Sequence, residues 1–162
     1  HPDNQDTGRV SAKSRHGSCI SIEGFVIVIR ESCIPPKTSH HAKRIVRFGG
    51  FTRLADKPEL RDAKNFWDAL FLPHRPASPL TGPLALSIEL RWPHTTSTLK
   101  KRQCLTVPME VKPDLSNMAK TIEDSLGRCG FFVNDSQVVD LHLTKFRSPT
   151  PGIVVKLGAL SE

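Results

Sequence analysis

Between residues 114 and 146 the hydrophobic period changes in mid-course, and this limits the possible folds more than any other feature of the chain. Leu115, Met118, Ala119, Ile122, Leu126 and Cys129 recur at i, i+3, i+4, i+7, i+11 and i+14, the spacing of one face of an α-helix. Asp114 stands at the N-cap position, and Gly127 and Gly130 supply helix-stop chemistry. From Gln137 the pattern becomes a strict alternation, with Val139, Leu141 and Leu143 on one face and Asp140, His142 and Thr144 on the other. An amphipathic helix that feeds directly into a half-buried strand needs a sheet for both to cover, which argues for helix-on-sheet layers.

The remaining segments extend that layered reading. Residues 24–29, Gly-Phe-Val-Ile-Val-Ile, form a short continuous apolar run, expected as a strand covered on both faces and ended by Pro35 and Pro36. Residues 37–53 carry Lys37, Lys43, Arg44, Arg47 and Arg53, no acid, and a Gly49-Gly50 pair, the profile of a basic loop or hairpin. Asp56 offers an N-cap with Glu59 three residues on, and Leu60, Ala63, Trp67, Leu70 and Phe71 keep helical spacing until Pro73. Leu84, Leu86, Ile88, Leu90 and Trp92 alternate with Ala85, Ser87, Glu89 and Arg91, predicting a strand with one face packed and one in solvent. Residues 93–112 read mostly as loop, and residues 153–157 as a last short strand. Trp67 and Trp92 fall on apolar-periodic positions, which favours core packing over base stacking. No GxGxxG or GxxxxGK[ST] is present, which argues against a Rossmann or P-loop domain and against a nucleotide cofactor. The expected class is α+β, a mixed β-sheet packed by two main helices.

A chain of 162 residues suits one domain, expected over residues 19–162, after a polar and aperiodic flexible tail at residues 1–18. No run approaches the roughly 18 apolar residues of a membrane span, and the opening segment lacks the apolar stretch of a secretory signal. A cytoplasmic, nucleoid-associated protein without membrane partners is therefore expected. Cys19, Cys33, Cys104 and Cys129 contain no CxxC pair and read as reduced structural thiols, not a zinc ribbon. The neighbouring His40 and His41 are poorly spaced to converge on a metal. A net charge of +7 favours a polyanionic partner. Lys37, Lys43, Arg44, Arg47 and Arg53, with Lys100, Lys101 and Arg102, are the candidate phosphate contacts, and binding through them should weaken steeply with salt.

The polar face of the second helix holds Ser116, Asn117, Lys120, Glu123 and Asp124. Taken alone it reads as a capped, solvated surface with a Lys120–Asp124 pair at i,i+4. Asn134-Asp135, in a turn just before the following strand, can bring a second carboxylate toward Asp114.

Lys112-Pro113-Asp114-Leu115-Ser116-Asn117-Met118-Ala119-Lys120, followed by Phe132-Val133-Asn134-Asp135-Ser136-Gln137-Val138-Val139-Asp140, resembles the signature of the RusA family of Holliday-junction resolvases. The resemblance is dense over residues 112–146 and looser upstream, where Pro35-Pro36, the helix near Trp67 and the strand ending at Trp92 fall in the expected order. It implies that Asp114 and Asp135 are metal-binding carboxylates and Lys120 the catalytic lysine, with Asn117 beside the site; Asn134, next to Asp135, and His142, on the polar strand face with Asp140, read as further site neighbours. Ser116 stands where the family pattern has a second Asp, and Asn134 where it often has the first of an Asp pair. Ser116, a poorer ligand for a hard ion, would act through a water, and Asp140 or Glu123 would compensate for the missing carboxylate. The implied cofactor is Mg²⁺, with Mn²⁺ able to substitute. The implied activity is that of a crossover-junction endodeoxyribonuclease acting on branched DNA in recombination and repair. A homodimer is implied because two strands are nicked symmetrically at a two-fold junction. The alternative is a catalytically weakened junction-binding protein that keeps the fold. A basic RNA-binding module is less well supported, since no RNP-type aromatic motif is present.

Overall fold

The computed structural model describes residues 21–22, 27–37, 43–98 and 100–161. The expected tail, Cys19, residues 24–26, His40 and His41 lie outside the described residues. Among the described residues eight strands and two α-helices follow one another: β1 (Ser21–Ile22), β2 (Ile27–Glu31), β3 (Lys43–Phe48), β4 (Phe51–Asp56), α1 (Pro58–Phe71), β5 (Leu84–Trp92), β6 (Val107–Pro108), α2 (Leu115–Arg128), β7 (Val138–Arg147) and β8 (Gly152–Ser161).

Six strands form one mixed sheet in the order β1-β8-β5-β7-β6, with β2 also paired to β8, and β3 pairs with β4 alone. β5 and β7 run parallel and the other pairings are antiparallel. Parallel neighbours need a crossover, and α2 lies in the chain between β5 and β7. The α+β class with two main helices follows directly from the sequence pattern.

β5 is the strand around which the core is built. Leu84, Leu86, Ile88, Leu90 and Trp92 are fully buried and pack in one cluster with Trp67 and Phe71 of α1, Met118, Ile122 and Leu126 of α2, and Ile153, Val155 and Leu157 of β8. Both tryptophans are core residues, as predicted. Trp67 stands edge-on to Phe66 and stacks at 5.8 Å on Phe71, while Trp92 Nε1 donates to Pro35 O at 2.8 Å. Among the described residues Cys33, Cys104 and Cys129 are free thiols.

Several expectations are corrected. The described part of the apolar run at residues 24–29 opens β2, which is covered on one face only: Ile29 is buried while its neighbour Val28 is 46% exposed, because α1 and α2 both lie on one side of the sheet. Asp56 is not the N-cap of α1. Pro58 takes the first helical position and drives Lys57 into an extended conformation, so the cap falls on Lys57 and Asp56 closes β4, its carboxylate accepting from Lys64 Nζ. Val139 does not join the apolar face of β7. The register slips between its pairings to Leu84 and Ala85, so Val138 meets Leu84, Asp140 meets Ala85, and Val139 is left 61% exposed. The last strand is ten residues long, having β5 on one side and β1 and β2 on the other. Basic residues 43–53 form a hairpin, one of the two forms expected of them, and residues 93–112 hold a 3₁₀ turn at Lys100–Arg102 and the short β6.

Candidate active site

The site assembles where the start of α2 and the entry to β7 meet. Lys145 of β7 donates from Nζ to Val111 O and Pro113 O, both at 2.8 Å, and so holds the loop that leads into Asp114. Asp114 occupies the N-cap of α2 in an extended conformation, and its carbonyl accepts from Met118 N at 3.1 Å. Its side chain makes no cap hydrogen bond; Oδ2 lies 3.5 Å from Asn117 Nδ2, a long contact on the exposed surface. The helix ends with Gly130 at φ 82°, where Gly130 N donates to Gly127 O and Phe131 N to Leu126 O. That left-handed residue is open to Gly and turns the chain back toward the sheet.

The returning segment is fixed by a reciprocal cap. Asn134 Oδ1 accepts from Ser136 N at 2.9 Å, and Gln137 Oε1 accepts from Val133 N and Asn134 N, each at 3.0 Å. Gln137 Nε2 donates to Leu80 O and Gly82 O at 3.0 and 3.2 Å, tying this turn to the segment before β5. The 3₁₀ turn Asp135–Gln137 therefore opens on a positioned Asp135, whose carboxylate meets α2. Lys120 Nζ donates to Asp135 Oδ2 at 2.7 Å and stands 3.1 Å from Asp124 Oδ1.

Charge follows from these contacts. The hydrogen bond from Lys120, and then its charge, hold the Asp135 carboxyl below the usual carboxylate range. Asp135 and then Asp124 push the Lys120 ammonium above the usual lysine value. Glu123 is pushed up, first by burial and then by the neighbouring Asp135 and Asp124 charges, with Lys120 opposing. Carboxylates crowd this end of α2 around one cation.

Of the sequence-predicted residues, Lys120 and Asp135 are brought into contact, and Asn117 stands beside Asp114. Ser116 is exposed in the first turn of α2. Asn134 works as a cap. His142 and Asp140 are not gathered here: His142 lines a cleft of about 340 Å³ with Arg30, Ser87, Glu89, Arg91 and Lys156, and Asp140 pairs with Ala85 on that same side, away from the helices. A strand alternates its side chains, so residues facing that cleft cannot also face α2. Lys37, Lys43, Arg44, Arg47, Arg53, Lys100, Lys101 and Arg102 are all exposed. Sequence reasoning missed the positioning roles of Lys145 and Gln137. It also read Asp124 as a solvated partner of Lys120, without the second carboxylate that joins them. The Gln137 signal was present, three residues after Asn134, as a capping-box spacing.

Among the described residues no three His, Cys, Asp or Glu side chains converge as a ligand set. Exposed carboxylates such as Asp114 and Asp135 are hard oxygen donors, a set that fits an ion keeping most of its waters and does not fit a closed protein cage. Among the described residues no helix is long and apolar enough to cross a membrane.

Comparison with known proteins agrees with the motif. The chain is similar to the uncharacterized protein YqaN of Bacillus subtilis (strain 168), 29% identical over 119 residues that cover 69% of this chain and 82% of that protein. Residues 34–158 match the family described as endodeoxyribonuclease RusA, a span that takes in the whole of β5, α2 and β7 and every contact around Lys120. The chain belongs to the RusA endodeoxyribonuclease family.

Proposed function

We propose that this chain is a divalent-metal-dependent, structure-specific endonuclease that resolves four-way DNA junctions. Asp114 and Asp135 would hold Mg²⁺, or Mn²⁺ in its place, and Lys120 would be the catalytic lysine. The observation that carries the reading is the 2.7 Å contact of Lys120 with Asp135, which joins the two halves of the family motif in space. When bound, the ion supplies Lewis-acid polarisation of the scissile phosphate and a more acidic water. The residues supply the rest. Lys120 stays protonated through neutral pH and sets a fixed positive charge where negative charge grows on the phosphate and leaving oxygen. Asp135 stays ionised and exposed, within reach of a convex duplex that could not enter an enclosed pocket. Ser116 would hold a water where the family pattern has a carboxylate. The exposed cations of residues 43–53 and 100–102 would grip phosphates, and a homodimer would place two such sites on a two-fold junction.

Ser116 also favours a second reading, a junction-binding protein with little turnover. Nicking assays on a four-way junction separate the two. Asp135→Asn and Lys120→Ala should each abolish Mg²⁺-dependent cutting and leave binding in EDTA intact. Cutting at the wild-type rate by both variants would refute the assignment. A wild-type protein that binds junctions but cuts in neither Mg²⁺ nor Mn²⁺ would establish the second reading.

A further inference from the structure

Among the described residues, Phe48 and Phe51 of the β3–β4 ribbon are the least covered large apolar side chains. The ribbon forms its own two-stranded sheet, and Phe48 and Phe51 face each other across its tip at 85% and 82% exposure. Two strands alone are marginal in water, so a ribbon with bare aromatic rings is completed by something outside it. Gly49 and Gly50 between the rings have φ of 53° and 85°, the paired positive values of a type I′ hairpin turn, and among the described residues nothing lies within 4 Å of where a Cβ would stand on either. Arg44 and Arg53 share the face of the two rings, since alternate residues of a ribbon point the same way. Lys43 and Arg47 lie on the other face with Asp56, the one acid of the ribbon, which is held by Lys64.

This charge pattern selects the occupant. A second copy pairing ribbon to ribbon would bring Arg44 and Arg53 against the same two cations. A polyanion carrying flat apolar groups satisfies both features together. We propose that the Phe48 and Phe51 rings stack on bases left without a neighbour at a DNA branch point while Arg44 and Arg53 hold the flanking phosphates. Within continuous duplex, insertion must first separate stacked pairs; at a crossover each arm ends in a pair already exposed on one side. The rings therefore supply preference for branched over linear DNA, and the cations supply affinity for either. The inference rests on the proposed DNA substrate and adds the element that would recognise its branching.

The test uses the full chain in EDTA, so that no strand is cut, with 2-aminopurine at the crossover of an immobile four-way junction and in a linear duplex of the same sequence. Wild-type protein should lower 2-aminopurine emission on the junction, as a ring covers the exposed base, and not on the duplex. Phe48→Ala/Phe51→Ala should lose that fall and lower junction affinity on the order of tenfold per ring, with duplex affinity and its salt dependence unchanged. Arg44→Ala/Arg53→Ala should weaken both DNAs alike and flatten the salt dependence. Phe48→Trp keeps the apolar tip should the alanine variant misfold, and its added indole should be quenched by junction far more than by duplex. Junction preference unchanged in the alanine variant, or an equal response of Phe48→Trp to both DNAs, would overturn the proposal. So would a change of oligomeric state in the alanine variant, which would give the tip to a second copy. A wild-type chain that binds neither DNA would instead remove the nuclease reading beneath it.

Discussion

Lys120 and Asp135, fifteen residues apart in the chain, meet at 2.7 Å because a helix and a 3₁₀ turn deliver them to one end of the sheet from opposite directions. The ammonium also reaches Asp124 one turn along α2, so a single cation serves two carboxylates and moderates a third, Glu123.

That sharing sets a pH dependence. Asp135 titrates below its ordinary value, so the stabilisation from its pairing is present above the usual carboxylate range and is lost as pH falls through the depressed value. Lys120 titrates above its ordinary value, so its share persists through neutral and mildly alkaline pH and is lost only as pH rises through the raised value. Lys120→Met should move the Asp135 and Glu123 carboxyl titrations upward in NMR and flatten the acid limb of the stability profile. Unmoved titrations would show that the contact is not held in solution.

Gln137 makes four hydrogen bonds around the Asp135 turn. Gln137→Leu should cost about 1–2 kcal/mol in denaturant melts, since the turn is partly open to water. Its larger effect should be kinetic. A loosened Asp135 should slow single-turnover nicking by up to about a hundredfold while junction binding stays near wild type. Equal losses in binding and cutting would refute the positioning role.

Asp68 clamps α1 to α2, accepting from the buried Ser125 hydroxyl and from Arg128 Nη2 at 2.8 Å. Asp68→Ala should destabilise the fold by about 1–3 kcal/mol, because the Ser125 hydroxyl is left buried without a partner. Adding Ser125→Ala should recover part of that loss, which a double-mutant cycle by thermal melting would read.

The two tryptophans should respond differently. Trp92→Phe loses the hydrogen bond to Pro35 O as well as ring volume, and should cost about 2–4 kcal/mol. Trp67 Nε1 is buried with no hydrogen-bond partner among the described residues, so Trp67→Phe trades lost packing against removal of an unpaired donor and should cost less. Chemical denaturation of the two variants side by side tests the order.

Much of the molecule was legible before folding. Periodicity alone located α1, β5 and α2, because burial against one sheet face imposes a regular spacing on each element: Leu84 to Trp92 alternate, and Met118, Ile122 and Leu126 recur by turns. The motif halves at residues 112–120 and 132–140 made Asp114, Lys120 and Asp135 the candidates, and both halves lie within the span of the family match. Tertiary structure decided what depends on neighbours distant in sequence. The bulge at Val139 took that residue out of the apolar face it shares in the sequence with Leu141 and Leu143, since register is a property of two paired strands and not of one. The bonds from Lys145 to the loop before Asp114, and from Gln137 to the segment before β5, likewise exist only once separate strands are side by side. Spacing along a chain specifies which side chains share a face, but only the packed sheet specifies which faces meet.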